Sequence, residues 1–454
     1  MLRPAITLLL VALFSVAARA GDTPASPRRI SLDDAITIAL RDNRTLKAVG
    51  FGSEAARDQI GVARGAMIPR LDAGENLSYT NNPVQVFSDL LLQQDFSQRD
   101  FALDQLNHPG FLSNFQSQVR LSFPLFAGGR LIASYRAAGF AADAERWQVV
   151  QTRQSVEFAV IQSYYSAVLA EQRVGVVDRA LGAARAHLAQ AQDLFAHGMV
   201  VNSDVLRTNV LAGTFEQQRI EAESQLGIAW ASLAHALGDE DERLAPLEKP
   251  AELEAAISPP SQLAPLVARA AAGRPEIKIA DSRMKQAQQA VTIARADYLP
   301  TVEVAGVYEN DTERFARAGT NGALLVTGRL NLFNGLATQS KVDAAQADLS
   351  RARVLADDLR RAVALEVETA YRRLVAAQQG LEVARRDNAY AESALKILED
   401  RYGSGLATNV TVLDAQTARE EADMGLVAAQ VNVAVDRAAL DLATGADPQP
   451  TSLH

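Results

Sequence analysis

The chain has 454 residues, no cysteine and a formal net charge of −9. The acidic balance argues against nucleic-acid binding, and the lack of cysteine excludes disulfides, thiol chemistry and an N-terminal lipid-bearing cysteine. Hydrophobic residues make up 48%, yet mean hydropathy is −0.04, too low for a bundle of membrane-crossing helices.

Met1 to Ala20 reads as a secretory signal: Arg3 is the positive start, Ala5 to Val16 the apolar core, and Ala18-Arg19-Ala20 the small-residue cleavage pattern. No other run is apolar for long enough to span a bilayer as a helix. Ser31, with Asp34 three residues on, is close to a capping box and opens the next helix. Residues 32–69 recur as 263–300 at an offset of about 231. Ala39 matches Ala270, and Ala63-Arg64 matches Ala294-Arg295. Each copy reads as one helix stopped by a proline, Pro69 or Pro300, which has no amide proton to continue it.

After each proline the period changes to two. Leu71, Ala73, Leu77 and Tyr79 alternate with polar or small residues, and so do Phe115, Val119, Leu121 and Phe123. In the second half Val302, Val304 and Tyr308 form one such run, and Leu324, Val326, Leu330 and Leu332 another. The pattern predicts four strands in two hairpins, apolar on one face and polar on the other. The first hairpin is longer by about 24 residues, the difference between the two repeat offsets. Its extra segment, between Asn81 and Leu112, carries Phe87, Phe96, Phe101 and Phe111, so it is expected to fold over something.

Next comes the longest element of the duplication. Residues 125–238 recur as 332–445 at an offset of about 207, without net insertion. Tyr164 matches Tyr371, Gly198 matches Gly405, and Gly238 matches Gly445. Neither copy contains proline, and both are rich in strong helix formers. Val363, Val367, Ala370, Leu374, Ala377 and Leu381 recur at spacings of four and three, as do Val156, Val160, Ser163, Ala167, Ala170 and Val174. A mean period of about 3.5 is that of a supercoiled helix seam. Each copy breaks once, at residues 196–199 and 403–406, and Asn202 and Asn409 are placed to cap the helix that follows. Each is therefore a helical hairpin whose first arm of about 65 residues reaches about 100 Å.

The resulting organisation is a signal peptide (1–20), a first repeat (21–238), an inter-repeat linker or equatorial region (239–262), a second repeat (263–445) and a disordered tail (446–454). Four strands cannot close, and open edges are not tolerated in a bilayer. Membrane barrels start at about eight strands, and three chains would supply about 12.

This order of elements, with Ser31-Leu32-Asp33-Asp34-Ala35, Pro124-Leu125-Phe126-Ala127-Gly128-Gly129, Asn331-Leu332-Phe333-Asn334-Gly335, Tyr402-Gly403-Ser404-Gly405 and Val412-Leu413-Asp414-Ala415-Gln416, resembles the TolC family of outer-membrane efflux proteins. The resemblance covers nearly all of the chain after residue 20. It implies a homotrimer, with a shared 12-stranded β-barrel in outer-membrane lipid continuous with a periplasmic α-helical barrel. It further implies a passive exit duct of a tripartite efflux or type I secretion system, joined through a periplasmic adaptor to an inner-membrane transporter.

The resemblance also assigns sites. Gly198 and Gly405, at the hairpin tips, lie where adaptor hairpins dock. Asp414 corresponds to an aspartate of the entrance constriction, while a second family aspartate is replaced by Thr411. Asp204 and Tyr402 match positions that link neighbouring hairpins and hold the entrance closed, and Ala407 stands where that network has a basic residue. Catalysis, metal and cofactor find no support: His108, His187, His197, His235 and His454 form no ligand spacing, and no nucleophile or phosphate motif occurs. A soluble periplasmic coiled-coil adaptor is the rival function, disfavoured by two helical hairpins and two amphipathic strand pairs in one chain.

Overall fold

The computed structural model describes residues 29–238, 247–248, 262–313 and 319–446. The signal segment 1–20, most of the 239–262 linker and nearly all of the 446–454 tail lie outside the described residues.

The first repeat runs α1 (Leu32–Asp42), α2 (Arg44–Gly65), β1 (Arg70–Thr80), α3 (Pro83–Leu92), a 3-10 turn (Gln98–Phe101), α4 (Leu103–Asn107), β2 (Leu112–Ala127), α5 (Arg130–Ala196) and α6 (Asn202–Leu237). The second runs α7 (Ala264–Gly273), α8 (Pro275–Arg295), β3 (Thr301–Thr312), β4 (Gly319–Arg329), α9 (Ala337–Gly403) and α10 (Asn409–Ala443).

The strands do not stay in two separate hairpins. They form one antiparallel sheet in the order β1-β2-β3-β4, because β2 and β3 also pair, from Phe115↔Thr312 to Ala127↔Thr301. The register slips between Pro124 and Phe126, where a residue without an amide donor cannot continue the ladder. β4 ends at Arg329, short of the expected Leu330 and Leu332, and the chain turns into α9 through left-handed Gly335 and Leu336. One face of the sheet exposes Leu71, Leu77, Leu121, Tyr308, Leu324 and Val326. The other carries Asn76, Ser78, Asn114, Gln118, Glu309 and Asn321. α2, α5, α8 and α9 all attach at the same end of the sheet, so the 80–112 connection, with α3 and α4, and the ends of β3 and β4 at Thr312 and Gly319 lie at the far end.

α5 and α9 are 67 residues each, as the duplication requires, or about 100 Å long. The seam of α9 is buried at Val363, Val367, Ala370, Leu374 and Leu381. α5 buries a wider stripe, including Ile161, Tyr164, Tyr165 and Val168, because it packs against α1, α2, α6, α8 and α10. Its Tyr164 hydroxyl lies 2.9 Å from the Ile30 carbonyl and 2.6 Å from that of Glu248, joining the segment before α1 to the inter-repeat linker.

The two shorter expected helices each break once, at corresponding residues. Asn43 separates α1 from α2, and Arg274 separates α7 from α8. Arg274 precedes Pro275, which disfavours helical backbone before it. Asn43 instead caps α2 by accepting from the Leu46 amide at 3.1 Å. Each break lies against the end of a return helix. Asn43 donates to the Ala236 carbonyl of α6 at 3.4 Å, and Arg274 to the Ala443 carbonyl of α10 at 3.2 Å. The glycines after those helices approach too closely for a side chain: a Cβ on Gly238 would lie 3.1 Å from Asn43, and one on Gly445 would lie 3.1 Å from Arg274. Burial opposes the charge on Arg274, but Glu366 and Glu276, both paired to its guanidinium, outweigh that and hold its pKa above the ordinary value.

At the sheet-to-helix junction Asp297 pairs with Arg130 at the start of α5 and, at 2.9 Å, with Lys341 at the start of α9. One carboxylate thus contacts the first turns of both long arms.

Candidate functional site

The two hairpin turns sit together at the end of the molecule farthest from the sheet, and each is built by the same backbone hydrogen bonds. Met199 N bonds to Leu194 O and Gly198 N to Phe195 O, both at 2.9 Å. In the second turn Leu406 N bonds to Arg401 O at 2.8 Å and Gly405 N to Tyr402 O at 2.9 Å. Both glycines are left-handed, with φ 70° and 74°, as this helix-ending motif requires. No other residue lies within 4 Å of a Cβ built on either, so the space beside them is open. Met199 (64% exposed) and Leu406 (74% exposed) stand out from the turns with nothing apolar covering them.

Asn202 and Asn409 are not the caps expected of them. The N-caps are Val201 and Thr408, neither with a side-chain bond to the backbone of its helix. Asn409 is instead 4% exposed and reaches across to the first hairpin. Its Oδ1 lies 2.6 Å from His187 Nε2 of α5, and its Nδ2 donates to the Asp204 carbonyl at 3.0 Å and to Thr208 Oγ1 at 3.1 Å on α6. With the amide oxygen accepting, His187 must carry its proton on Nε2. One buried side chain at the start of α10 therefore ties both helices of the first hairpin to the second.

Tyr402, on the last turn of α9, packs its ring 5.0 Å from that of His187. Its hydroxyl is buried and has no hydrogen-bond partner among the described residues. Burial raises its pKa, and the nearby charge of Asp204 adds to the effect. Within the chain, then, Tyr402 and Asp204 are neighbours, but the hydrogen bonds between hairpins run through Asn409. Thr411 and Asp414 lie on the opposite, exposed side of α10 from buried Val412, Ala415 and Gln416. Ala407 is half-buried and brings no charge to the turn. Farther from the turns, Glu420 of α10 faces Arg173 of α5. Burial pushes its pKa up, Glu421 adds to the rise, and Arg173 opposes it.

His187, Thr208 and Asn409 escaped sequence reasoning as a set, since they are more than 200 residues apart in the chain for two of the three pairings. The available signal was a histidine, a threonine and an asparagine at positions where helical periodicity calls for apolar residues.

Among the described residues no helix is long and apolar enough to cross a membrane, and no group of three or more His, Cys, Asp or Glu side chains could hold a metal ion.

The chain matches the family model described as outer membrane efflux protein over residues 35–239 and 266–446. It is 27% identical over 316 residues to protein CyaE of Bordetella pertussis, covering 69% of this chain and 66% of that protein, just under two thirds of its length. It is 21% identical over 403 residues to the proteases secretion protein PrtF of Dickeya chrysanthemi, covering 86% and 83% of the two chains. Its fold matches the open state of the MtrE outer membrane channel of Neisseria gonorrhoeae with a TM-score of 0.77 at 19% identity, covering 93% and 90%.

Replacing Asn409 with Leu leaves His187 Nε2 without its buried partner and the Asp204 carbonyl with the Thr208 hydroxyl in place of two side-chain donors. The expected cost is about 2 kcal/mol, read as a lower urea midpoint for helix loss by circular dichroism, together with a larger resting conductance. An unchanged midpoint and conductance would show that the bonds at this end hold nothing together.

Proposed function

The chain belongs to the outer membrane efflux protein family, and from that premise we propose that it is a passive outer-membrane duct for efflux or secretion. The observation that carries the reading is the four-stranded sheet, apolar on one face and polar on the other, joined end-on to hairpin arms of about 100 Å. Such a sheet fits a barrel wall with lipid outside and water inside. The arms fit a conduit that crosses the periplasm. Three chains pairing β1 of one with β4 of the next would close about 12 strands. The names of its relatives speak of protease secretion and of outer-membrane proteins and channels, which supports an exit duct driven by an inner-membrane pump through a periplasmic adaptor.

Detergent-purified protein should have a trimer's mass by light scattering and should remain with the outer membrane after a carbonate wash. A monodisperse monomer that still conducts ions sinks the shared barrel, and release by carbonate favours the soluble adaptor reading.

Adaptor docking at the turns is supported by the open space around Gly198 and Gly405 and by the uncovered side chains beside them. A large residue at either glycine would strain a left-handed backbone, so Met199→Glu and Leu406→Glu are the cleaner probes. Both should keep normal outer-membrane abundance while export is lost. Full export by the double variant would remove the turns from the docking surface.

Asp414 is proposed to line the entrance. It lies nine residues beyond Gly405, about 14 Å along the helix, and is exposed among the described residues. Three carboxylates around a narrow aqueous passage concentrate negative potential, and Thr411 adds no charge one turn earlier. In planar bilayers Asp414→Asn should lower cation-over-anion selectivity and weaken block by divalent cations from the periplasmic side. Wild-type selectivity in the variant would place Asp414 on an ordinary solvated face.

A further inference from the structure

The segment between β1 and β2 has no counterpart between β3 and β4, and it does not extend away from the sheet. Asn82 caps α3, accepting from the Val84 amide at 3.0 Å. Phe87, Phe96 and Phe101 then meet edge to face at 5.0 and 5.1 Å, giving the insertion a small core of its own. What matters is the face against which it lies.

The side-chain contacts of Ser78, Asn114 and Asn321 that fix α3 and the residue after it to the strands are on the sheet's polar face. Gln93 donates to Asn114 Oδ1 at 2.9 Å, and Asn114 donates in turn to Asp311 Oδ1 at 2.8 Å. Asn321 donates to the Leu92 carbonyl at 3.1 Å. Asn114, Asp311 and Asn321 all point to the side that alternates with exposed Leu71, Tyr308 and Leu324. Asp311, 0% exposed, owes its burial to this covering. Gly319 makes the same point without any charge. It sits opposite Asp311 in the register, and a Cβ there would overlap the Leu92 carbonyl oxygen. The strand is thus shaped to let the insertion's backbone lie flat on the polar face, at the sheet end farthest from the helices.

We propose that residues 83–110 form an exit constriction, folded into the barrel lumen at its outer mouth, that limits the size of what leaves the duct. The inference rests on the conduit reading, in which the polar face lines the lumen. Three copies would then project from the wall at one level. Gln93, Asn114, Asp311 and Asn321 are positioning residues that hold the segment down, and Gly319 is the slot that admits it.

The test uses the natural lack of cysteine. Thr327 is an exposed residue on the polar face of β4, six positions nearer the helices than Asn321, about 20 Å below the insertion's contact level. A Thr327→Cys chain is labelled from outside on intact cells with a small charged thiol reagent and with a polymer-linked maleimide. Two further backgrounds carry the same cysteine. In one, residues 83–110 are deleted, leaving Asn81, Asn82 and Phe111 to close the hairpin between paired Thr80 and Leu112. In the other, Gly319→Leu displaces the insertion without removing it. The small reagent should label all three. The polymer should label only the two altered backgrounds, a shift of the size cut-off that does not depend on the periplasmic end. Equal polymer labelling in all three overturns the constriction while leaving the conduit standing. If the small reagent fails in both altered backgrounds yet labels the denatured chain, no aqueous lumen lies behind this face, and the conduit reading falls with the constriction.

Discussion

A backbone amide or carbonyl left unpaired in hydrocarbon costs several kcal/mol, and β1 and β4 each leave one whole edge unpaired within the chain. Everything else in the molecule is compatible with that demand. One face exposes large apolar side chains that no described part of the chain covers, and the opposite face is polar toward the end farthest from the helices, with Ala305, Val307, Ala323 and Leu325 nearer them. A single chain therefore presents a segment of wall rather than a finished object, and the proposed closure by other copies answers both the edges and the apolar face.

The helical part solves a different problem, which is to hold two very long hairpins at a fixed angle to that wall. It does so with the same geometry twice and different chemistry each time. At the break between short helices one half uses Asn43, a neutral cap, and the other uses Arg274, a buried cation neutralised by Glu276 and Glu366. At the entry to the long arms Gly129 and Leu336 occupy matching left-handed positions, with φ 82° and 66°. Glycine adopts that backbone freely, whereas a leucine is held there at a cost of about 1–2 kcal/mol. The turn is therefore imposed by its surroundings, among them the Asp297 bridge to both arms.

The two ends of the molecule are held together by unlike means. At the turns a small buried polar cluster around Asn409 joins one hairpin to the other, with Tyr402 packed on His187 beside it. At the opposite end a whole inserted segment lies on the polar face, fixed by uncharged amides and one buried aspartate. Buried polar groups with complete hydrogen bonding specify one arrangement. The Tyr402 hydroxyl, left without a partner among the described residues, is the point at which the cluster at the turns is incomplete.

Local periodicity and exact duplication determined the elements. A seam of about 3.5 residues identified the hairpin arms, alternation identified the strands, and matching glycines placed both turns, because each of these is a property of neighbouring residues. The apolar pattern continues through the breaks at Asn43 and Arg274 and hid both, although Pro275 marks the second locally, and only contact with α6 or α10 shows why the two breaks lie where the return helices end. The same local information misread Asn202 and Asn409 as caps, since a polar residue before an apolar run has the same local signature whether it caps its own helix or reaches for another. It gave the aromatic insertion a reason to fold but no place to fold onto. That place, like the Asn409 cluster and the pairing of β2 with β3, joins residues some 20 to 230 positions apart. Only the tertiary structure decides such contacts, because their free energy depends on which faces have already been buried together.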